Sequence, residues 1–553
     1  MDYNKLAELL FPHINKTPDD YNKIFPKREL KEGAKVTRLG PSPTGFIHLG
    51  NLYGGFADER MAHQSGGVFY LRIEDTDDKR EVEGAVEIII NSLKFFGINF
   101  DEGATMEGDL GIYGPYHQSQ RGEIYQCFAK ELVKKGLAYP CFMTSDEIAE
   151  IKEKQEAAKV NTGIYGKYAA GRNLSYEEIE ANIKAGKSYV IRLKSDGETE
   201  NPEKIKHIKV MDAIRGELVM PENYLDVVIL KATGIPTYHF AHVIDDHFMG
   251  TTHVVRGEEW LPSLPIHVEL FDKVGFEMPI FCHTAHLMKI DEETGQRRKL
   301  SKRKDPELAL DYYRKQGYHP QAVREYLLTI LNSNYEEWRI ANPDSDATEF
   351  EFSVEKMGNA GALFDLNKLN DICKDVLVKI PACDLRIFLL NWAKEFKPEV
   401  AHYFDENVEF IEKVLDLGRT GDKPRKDLIF AEQILEFISY FFDEYFSVVD
   451  QLPANVSEED NKIILEKYLE TYDHSDDQSA WFDKIRGIAE ELGYAAKPKD
   501  YKKNPDMYKG HVGDVSTAIR LAVVGRTQSP DIWEIQQILG EEKTKERVIS
   551  RLN

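Results

Sequence analysis

Two short stretches of the 553-residue chain carry side chains suited to handling phosphate. In the first, Arg38-Leu39-Gly40-Pro41-Ser42-Pro43-Thr44-Gly45-Phe46-Ile47-His48-Leu49-Gly50-Asn51, a strand end passes through a Pro/Gly turn into a helix that begins near His48. Bare amides and the dipole at a helix N-terminus favour an anion, His48 adds an imidazole donor, and Gly50 lets a ligand approach, which together suit a triphosphate. A strand-to-helix turn also needs Pro and Gly for geometry alone, so this segment by itself carries either meaning. The second stretch, Arg297-Arg298-Lys299-Leu300-Ser301-Lys302-Arg303-Lys304, has six basic residues among eight and no acid. Such a run is usually a solvated loop. Here it stands in a chain with 71 basic and 95 acidic side chains and a net charge of −24, where it calls for an anionic partner. Gly295 and Ser301 suit a mobile phosphate-binding loop.

Other routes to nucleotide or metal chemistry lack their residues. No Gly-x-Gly-x-x-Gly, no Gly-x-x-x-x-Gly-Lys-Ser/Thr and no His-Glu-x-x-His occurs, so dinucleotide, P-loop and zincin readings lose their support. Cys127, Cys141, Cys282, Cys373 and Cys383 are odd in number and contain no Cys-x-x-Cys, which fits reduced thiols and a cytoplasmic setting. The acidic balance repels polyanions on average, although a local basic patch can still bind phosphate. Hydrophobic residues at 42% and aromatics at 11% supply folded cores. The first thirty residues have no signal-like apolar core and no stretch nears the ~20 apolar residues that cross a bilayer, so no membrane role is expected.

At roughly 150 residues per domain the length implies several cores. From Val36 short apolar strands alternate with helices, as in residues 68–73 followed by the helical period of Val82, Val86, Ile89, Ile90 and Leu93. That alternation predicts α/β with a parallel sheet. Between about 113 and 225 the texture is mixed, with a lysine-rich helix near 146–160, a strand at 189–193 and a hairpin around Arg215-Gly216-Glu217. We read it as an insertion, after which strands at 227–230 and 252–255 resume the sheet. His239, His242, His247 and His253 lie in strand-like alternation and offer no metal-ligand spacing. Beyond about 345 strands vanish, and Leu428, Ala431, Ile434, Leu435, Ile438, Phe441, Phe442 and Tyr445, then Ile464, Leu465, Tyr468, Leu469 and Tyr472, recur at helical intervals. Two helical subdomains joined through the polar stretch 497–509 are expected.

Taken together, His48-Leu49-Gly50-Asn51 and Lys299-Leu300-Ser301-Lys302-Arg303 resemble the paired HIGH and KMSKS elements of class I aminoacyl-tRNA synthetases. Pro-Ser-Pro-Thr-Gly at 41–45, Arg-Ile-Glu-Asp-Thr-Asp at 72–77, Gln118-Ser119-Gln120-Arg121, Pro236-Thr237-Tyr238-His239-Phe240, Asp245-Asp246 and Arg256-Gly257-Glu258-Glu259-Trp260 narrow the likeness to the bacterial-type glutamyl-tRNA synthetase subfamily. It runs in order from about 36 to 370 and returns at Ala518-Ile519-Arg520-Leu521-Ala522-Val523-Val524-Gly525. Pro-Ser-Pro-Thr-Gly departs from the Pro-Glu-Pro-Asn-Gly usual in the glutaminyl relatives, and the long helical region departs from truncated relatives that modify a tRNA base.

The resemblance implies a split Rossmann-like parallel-sheet catalytic domain with an α+β insertion, followed by an all-helical anticodon-binding region. Its expected limits are an N-terminal extension at 1–35, catalytic halves at 36–113 and 226–275, an acceptor-end-binding insertion at 114–225, a stem-contact region with the basic loop at 276–350, and helical subdomains over 351–553. It implies ATP-dependent activation of L-glutamate and transfer to the 3′ end of tRNA-Glu, leaving open whether tRNA-Gln is also charged. His48, Lys299 and Lys302 take the catalytic places. Glutamate needs an acid for its ammonium and fixed cations for its carboxylates. By resemblance Arg38, Leu39, Gly40, Ser42, Glu74, Tyr238, His242 and Arg256 form that pocket, with Arg256 on the side chain and Glu74 on the ammonium. Plain salt bridges and core packing remain the alternatives for these side chains.

ATP falls to His48, Gly50, Asn51, Glu259, Leu287 and Lys302, with Mg2+ accompanying it. Leu39-Gly40 and His242 depart from the residues usual in the family, which leaves the contact of His242 to substrate open. Zinc is not expected, because only Cys141 stands where some relatives carry a zinc knuckle. Asp245-Asp246 either holds magnesium or caps a loop. Arg419, Lys423, Arg425, Lys426, Lys502, Lys503 and Arg526, some beside Tyr501 and Tyr508, are either RNA contacts or ordinary solvated cations. A cytoplasmic monomer is expected, and members of the subfamily need bound tRNA before they activate glutamate.

Overall fold

The structure is a computed structural model that describes residues 1–44, 47–77, 82–199 and 202–552. Gly45 and Phe46 of the first motif lie outside the described residues. Two compact units form: residues 1–312 with 324–365, and residues 313–323 with 366–553. The sequence places the start of the helical region at 351, whereas 351–365 pack with the first unit and 313–323 with the second.

In the first unit Val36–Leu39 pairs in parallel with Val68–Leu71, which pairs with Glu102–Thr105, and Gly108–Leu110 folds back on that edge antiparallel. Val36–Leu39 is buried at all four positions, as a strand covered on both faces must be. A second parallel pair, His253–Gly257 with Ile280–Thr284, lies beside it. The Thr252 N–H donates to the Val36 carbonyl at 2.9 Å, and the Val36 N–H to the Thr252 hydroxyl at 2.8 Å. Those two bonds join the halves of the parallel sheet that the insertion separates in sequence. Leu49–Ser65 covers the join, its Leu52, Phe56, Ala57 and Met61 buried, and stops where Gly66 turns left-handed at φ 68°.

Three sequence expectations need correction. Residues 227–230 do not resume the parallel sheet, because Val228–Leu230 pairs antiparallel with Val190–Leu193, which pairs with Ala138–Cys141. The hairpin His207–Asp212 with Gly216–Pro221 leaves the insertion and adds to Ile280–Thr284 through Asp212 and Phe281. A three-residue apolar run carries no alternation that could specify its partner, so pairing is decided by tertiary packing. The histidines at 239, 242 and 247 sit on the helix Tyr238–Phe248, whose buried Phe240, Ala241, Ile244 and Phe248 keep the helical three-to-four spacing.

Residues 1–35 brace the first unit. Leu6, Ala7 and Leu10 of Tyr3–Leu10 are buried where that helix packs on Gly122–Lys134. Lys130 donates to the Phe11 and Ile14 carbonyls, and Arg28 binds Glu102 through both terminal nitrogens at 2.8 Å while lying 4.0 Å from the Tyr113 ring centre. The basic stretch begins as a strand, Arg297–Lys299, paired antiparallel with Leu287–Ile290. Ala362–Leu363 pairs with that strand too, so one short strand lies beyond the point where the sequence shows none.

The second unit is helical around one apolar core that includes Leu389, Ile434, Ile464, Ile488, Ile519 and Ile535. The periodic run from 428 is broken: Ala431–Ile438 ends in the tight turn Ser439–Phe441, which buries Tyr440 and Phe441. Pro498–Lys503 is a short helix within the stretch expected as a linker.

Candidate active site

A cleft of about 600 Å3 opens past the carboxyl ends of Val36–Leu39, Val68–Leu71, His253–Gly257 and Ile280–Thr284. Open parallel sheets place ligands there. Of the expected glutamate residues, Arg38, Leu39, Gly40, Ser42, Glu74, Tyr238 and Arg256 line it. Of the expected phosphate and nucleotide residues, His48, Gly50, Asn51, Glu259, Leu287 and Lys299 do. His242 and Lys302 are not among its walls.

At one end buried charges are fixed by one another. Arg72 donates Nη1 to Asp246 at 2.6 Å and Nη2 to Glu74 at 2.9 Å, and Arg38 Nε stands 3.5 Å from Asp246. Burial pushes the Glu74 carboxyl up, opposed by Arg72 and Arg38. A Cβ on Gly40 would overlap the Glu74 carboxylate, so glycine there gives Glu74 its place. Asp58, buried beneath the same wall with neither carboxyl oxygen hydrogen bonded, is held well above the usual carboxylate range by burial, with Arg38 opposing.

His242 has no exposed surface. Its ring stacks under Tyr238 at 5.7 Å, and its Nδ1 contacts Asp246 at 2.7 Å without aligned hydrogen-bond geometry. Burial lowers its pKa to about 4 despite Asp246. It is a neutral support for Tyr238 rather than a wall of the cleft, because the helix turns position 242 inward.

Asp245 and Asp246 are likewise anchors. Asp245 accepts from Arg121 Nε at 2.7 Å, Gln118 Nε2 at 2.9 Å and the Tyr125 hydroxyl at 2.7 Å. These bonds explain Gln118 and Arg121 of the quoted motif, and Ser119 serves Asp75 at 2.7 Å through both its N–H and its hydroxyl.

At the other end His48 caps the helix Leu49–Ser65. Its Nδ1 accepts from the Asn51 N–H at 3.3 Å, and Asn51 Oδ1 accepts from the His48 N–H at 3.1 Å. A neutral ring accepting at Nδ1 carries its proton on Nε2. Burial lowers the His48 pKa, with Glu259 raising it and Lys299 lowering it, so the ring is a neutral donor beside the helix amides. Gly50 has a nearer reason than ligand approach: a Cβ there would stand 3.0 Å from Cε1 and Nδ1 of His48.

Lys299 Nζ lies 3.4 Å from His286 Nε2, and His286 Nδ1 lies 3.4 Å from Glu259. Acids outside the basic run anchor it, as Arg298 pairs with Asp291 at 2.8 Å and with Asp305 at 2.6 Å. Lys302, Arg303 and Lys304 are exposed in the following turn, which the Ser301 N–H closes on Asp305 at 2.8 Å.

Several positioning residues escaped the sequence reading. Arg72 stood inside a quoted motif without a role, while Asp58, Asp212, His267, His283 and His286 carry no local signal. In the second unit Arg419 is 7% exposed and donates to the Leu415, Leu377 and Ile380 carbonyls, so it holds helix ends instead of facing RNA. Lys423, Lys502 and Lys503 are exposed, Arg425 and Lys426 pair with Asp427 and Asp375, and Arg526 borders a pocket of about 480 Å3 with Arg425 and Tyr440.

Comparison with known proteins shows the family. The family described as tRNA synthetases class I (E and Q), catalytic domain, matches residues 35–371, and an anticodon binding domain matches residues 508–551. A glutamate–tRNA ligase of Acetivibrio thermocellus is 64% identical over 549 residues, covering 99% of each chain. One of Clostridium perfringens strain 13 is 50% identical over 553 residues, covering 99% of this chain and 100% of the relative. The crystal structure of a glutamate-tRNA synthetase from Elizabethkingia anophelis superposes with a TM-score of 0.73 at 27% identity, covering 94% of this chain and 99% of that one.

Proposed function

The chain belongs to the class I tRNA synthetases of the E and Q type, and from that premise we propose that it is a ligase that activates L-glutamate with ATP and transfers it to the 3′ end of tRNA-Glu. An α-carboxylate oxygen of glutamate attacks the α-phosphorus of ATP, the bond to the bridging oxygen breaks, and pyrophosphate leaves. A hydroxyl of the terminal adenosine of tRNA then attacks the acyl carbon, and AMP leaves. No side-chain nucleophile is needed, so catalysis comes from alignment and from donors placed where charge builds.

His48 Nε2–H and the amides of Leu49–Ser65 serve the phosphates from one side and Lys299 from the other. Lys302, one turn further, reaches the phosphates when the turn 301–304 moves over the cleft. Glu259 and Leu287 hold the nucleoside. Arg38 and Glu74 take the α-carboxylate and ammonium, Ser42 and Tyr238 assist, and Arg256 takes the side-chain carboxylate. Mg2+ enters on the ATP phosphates as part of the substrate, since Arg121, Gln118 and Tyr125 already occupy Asp245, and Asp246 pairs with Arg72 and is fully buried. The antiparallel insertion receives the acceptor end and the helical unit reads the anticodon. A monomer in the cytoplasm completes the reading, and five unpaired cysteines fit that setting.

The reading rests on one cleft that His48 and Lys299, from the two basic motifs, share with Arg38, Glu74 and Arg256. Charging assays with ATP, glutamate and either tRNA-Glu or tRNA-Gln test it. Glutamylation of tRNA-Glu is expected, the tRNA-Gln arm decides whether the anticodon unit accepts both, and no charging of either rejects the reading.

A further inference from the structure

Arg256 is held in an unusual way for a buried arginine. From the strand His253–Gly257 its Nε donates to His283 Nε2 at 3.0 Å and its Nη1 to His267 Nδ1 at 3.0 Å. The guanidinium lies 4.6 Å from the Phe281 ring centre. Its Nη2 is buried and has no aligned hydrogen-bond partner within the protein, the Tyr238 hydroxyl being the polar neighbour of the guanidinium, and Arg256 is a wall of the cleft. Among the described residues no carboxylate stands within ion-pair distance of it. Arg28 and Arg298, by contrast, each close on a carboxylate.

Chemistry fixes every proton in this arrangement. A guanidinium only donates, so His283 Nε2 and His267 Nδ1 must accept, and each neutral ring carries its proton on the other nitrogen. His283 Nδ1–H then donates to Asp212 Oδ2 at 2.7 Å, and His267 Nε2–H to His239 Nδ1 at 2.9 Å. Both rings are fully buried. Burial also lowers the pKa of each, which keeps them in the neutral form that accepts.

On the reading that Arg256 meets the side-chain end of the amino acid, we propose that His267 and His283 are positioning residues that satisfy two arms of Arg256 without neutralising it. The full charge, with Nη2 as the remaining donor, is thereby left for the ligand. A carboxylate supplies the opposite charge and only accepts. The amide of glutamine supplies no charge and turns a donor toward a donor in one of its two orientations. A protein carboxylate in place of either histidine would spend the charge of Arg256 internally and erase that preference.

Three substitutions at 267 separate these effects. His267→Asn keeps a neutral acceptor near the Nδ1 position, His267→Leu removes it, and His267→Asp replaces it with a charge. KM and kcat for glutamate, and the inhibition constant for glutamine, are measured with saturating ATP and tRNA-Glu. We expect His267→Asn within about threefold of wild type. His267→Leu and His267→Asp should raise the glutamate KM at least about tenfold with kcat changed less than about threefold. In His267→Asp the glutamine constant should move less than about threefold, because glutamine never used the charge that the new carboxylate takes up.

The proposal is overturned if His267→Asp leaves the glutamate KM within twofold of wild type, or if glutamate and glutamine weaken in parallel in that variant. Should a 267 variant fail to fold, His283→Gln, which keeps an acceptor near Nε2, and His283→Leu give the same contrast. Wild-type protein in the same assay keeps the two readings apart. If it does not charge glutamate the parent reading falls, and if it does while the variants keep the glutamate-to-glutamine ratio, only the histidine assignment falls.

Discussion

Arg72 and Asp246 meet at 2.6 Å with neither side chain exposed, and through that contact the floor of the cleft is tied to the helix Tyr238–Phe248. Arg72 spends its other arm on Glu74, so one buried cation orients the acid expected to face the substrate ammonium. Removing one member of such a pair leaves an uncompensated charge, which typically costs about 3–5 kcal/mol. Asp246→Asn should lower the unfolding free energy by about that amount in urea titrations. A loss below about 1 kcal/mol would show that Arg38 and Arg72 find other partners.

Gly50 and His48 make a tighter test of alignment. The methyl of Gly50→Ala would press the His48 ring at 3.0 Å and push it a few tenths of an ångström. Small misplacements of a phosphate donor are expensive in rate. The variant should fold normally and lose about tenfold in kcat for charging, and an unchanged kcat would mean that the His48 position is not critical.

Lys302 lies outside the walls of the cleft, and the role proposed for it depends on movement of the turn 301–304. Lys302→Ala should lose about 10²-fold in single-turnover charging, as the loss of one preorganised donor does, while tRNA affinity stays near wild type. If the rate is retained, Lys299 carries the phosphate role alone.

His242 gives a pH signature. Its pKa falls from 6.5 in the unfolded chain to about 4 when folded, mainly by burial. Its contribution to stability is therefore complete above the unfolded value and is lost as pH falls from 6.5 toward 4, because only the unfolded chain takes up the proton there. Between pH 6.5 and 5.0 the loss reaches about 2 kcal/mol for this one group. Urea midpoints of wild type and His242→Asn should converge by that amount on acidification, and a constant gap would assign the pH dependence elsewhere.

The order of events offers a last test. With Lys302 held away from the cleft walls, glutamate-dependent exchange of pyrophosphate into ATP should be nearly absent without tRNA and should appear when tRNA-Glu is added. Robust exchange in the protein alone would show that the turn 301–304 closes without help from tRNA.

The sequence by itself determined most of what the cleft contains. A helix start at His48 suited to phosphate and a basic stretch at 297–304 were readable because each depends on residue type within a few neighbours, and the resemblance they carried supplied the residues for an amino acid, while the strand Arg297–Lys299 that opens the basic stretch was read as loop. The parallel sheet and the helical second unit were readable too, since their periodicities are local. Strand partnership was not. The three residues of Val228–Leu230 and the hairpin around Gly216 read equally well in either sheet, and hydrogen bonds between distant segments chose for them. Nor could sequence say that His242 turns inward, that Arg419 caps carbonyls, or that His267 and His283 close on Arg256. Each of those facts depends on which segments burial brings together and on which donor is left without water, and both are properties of the packed chain.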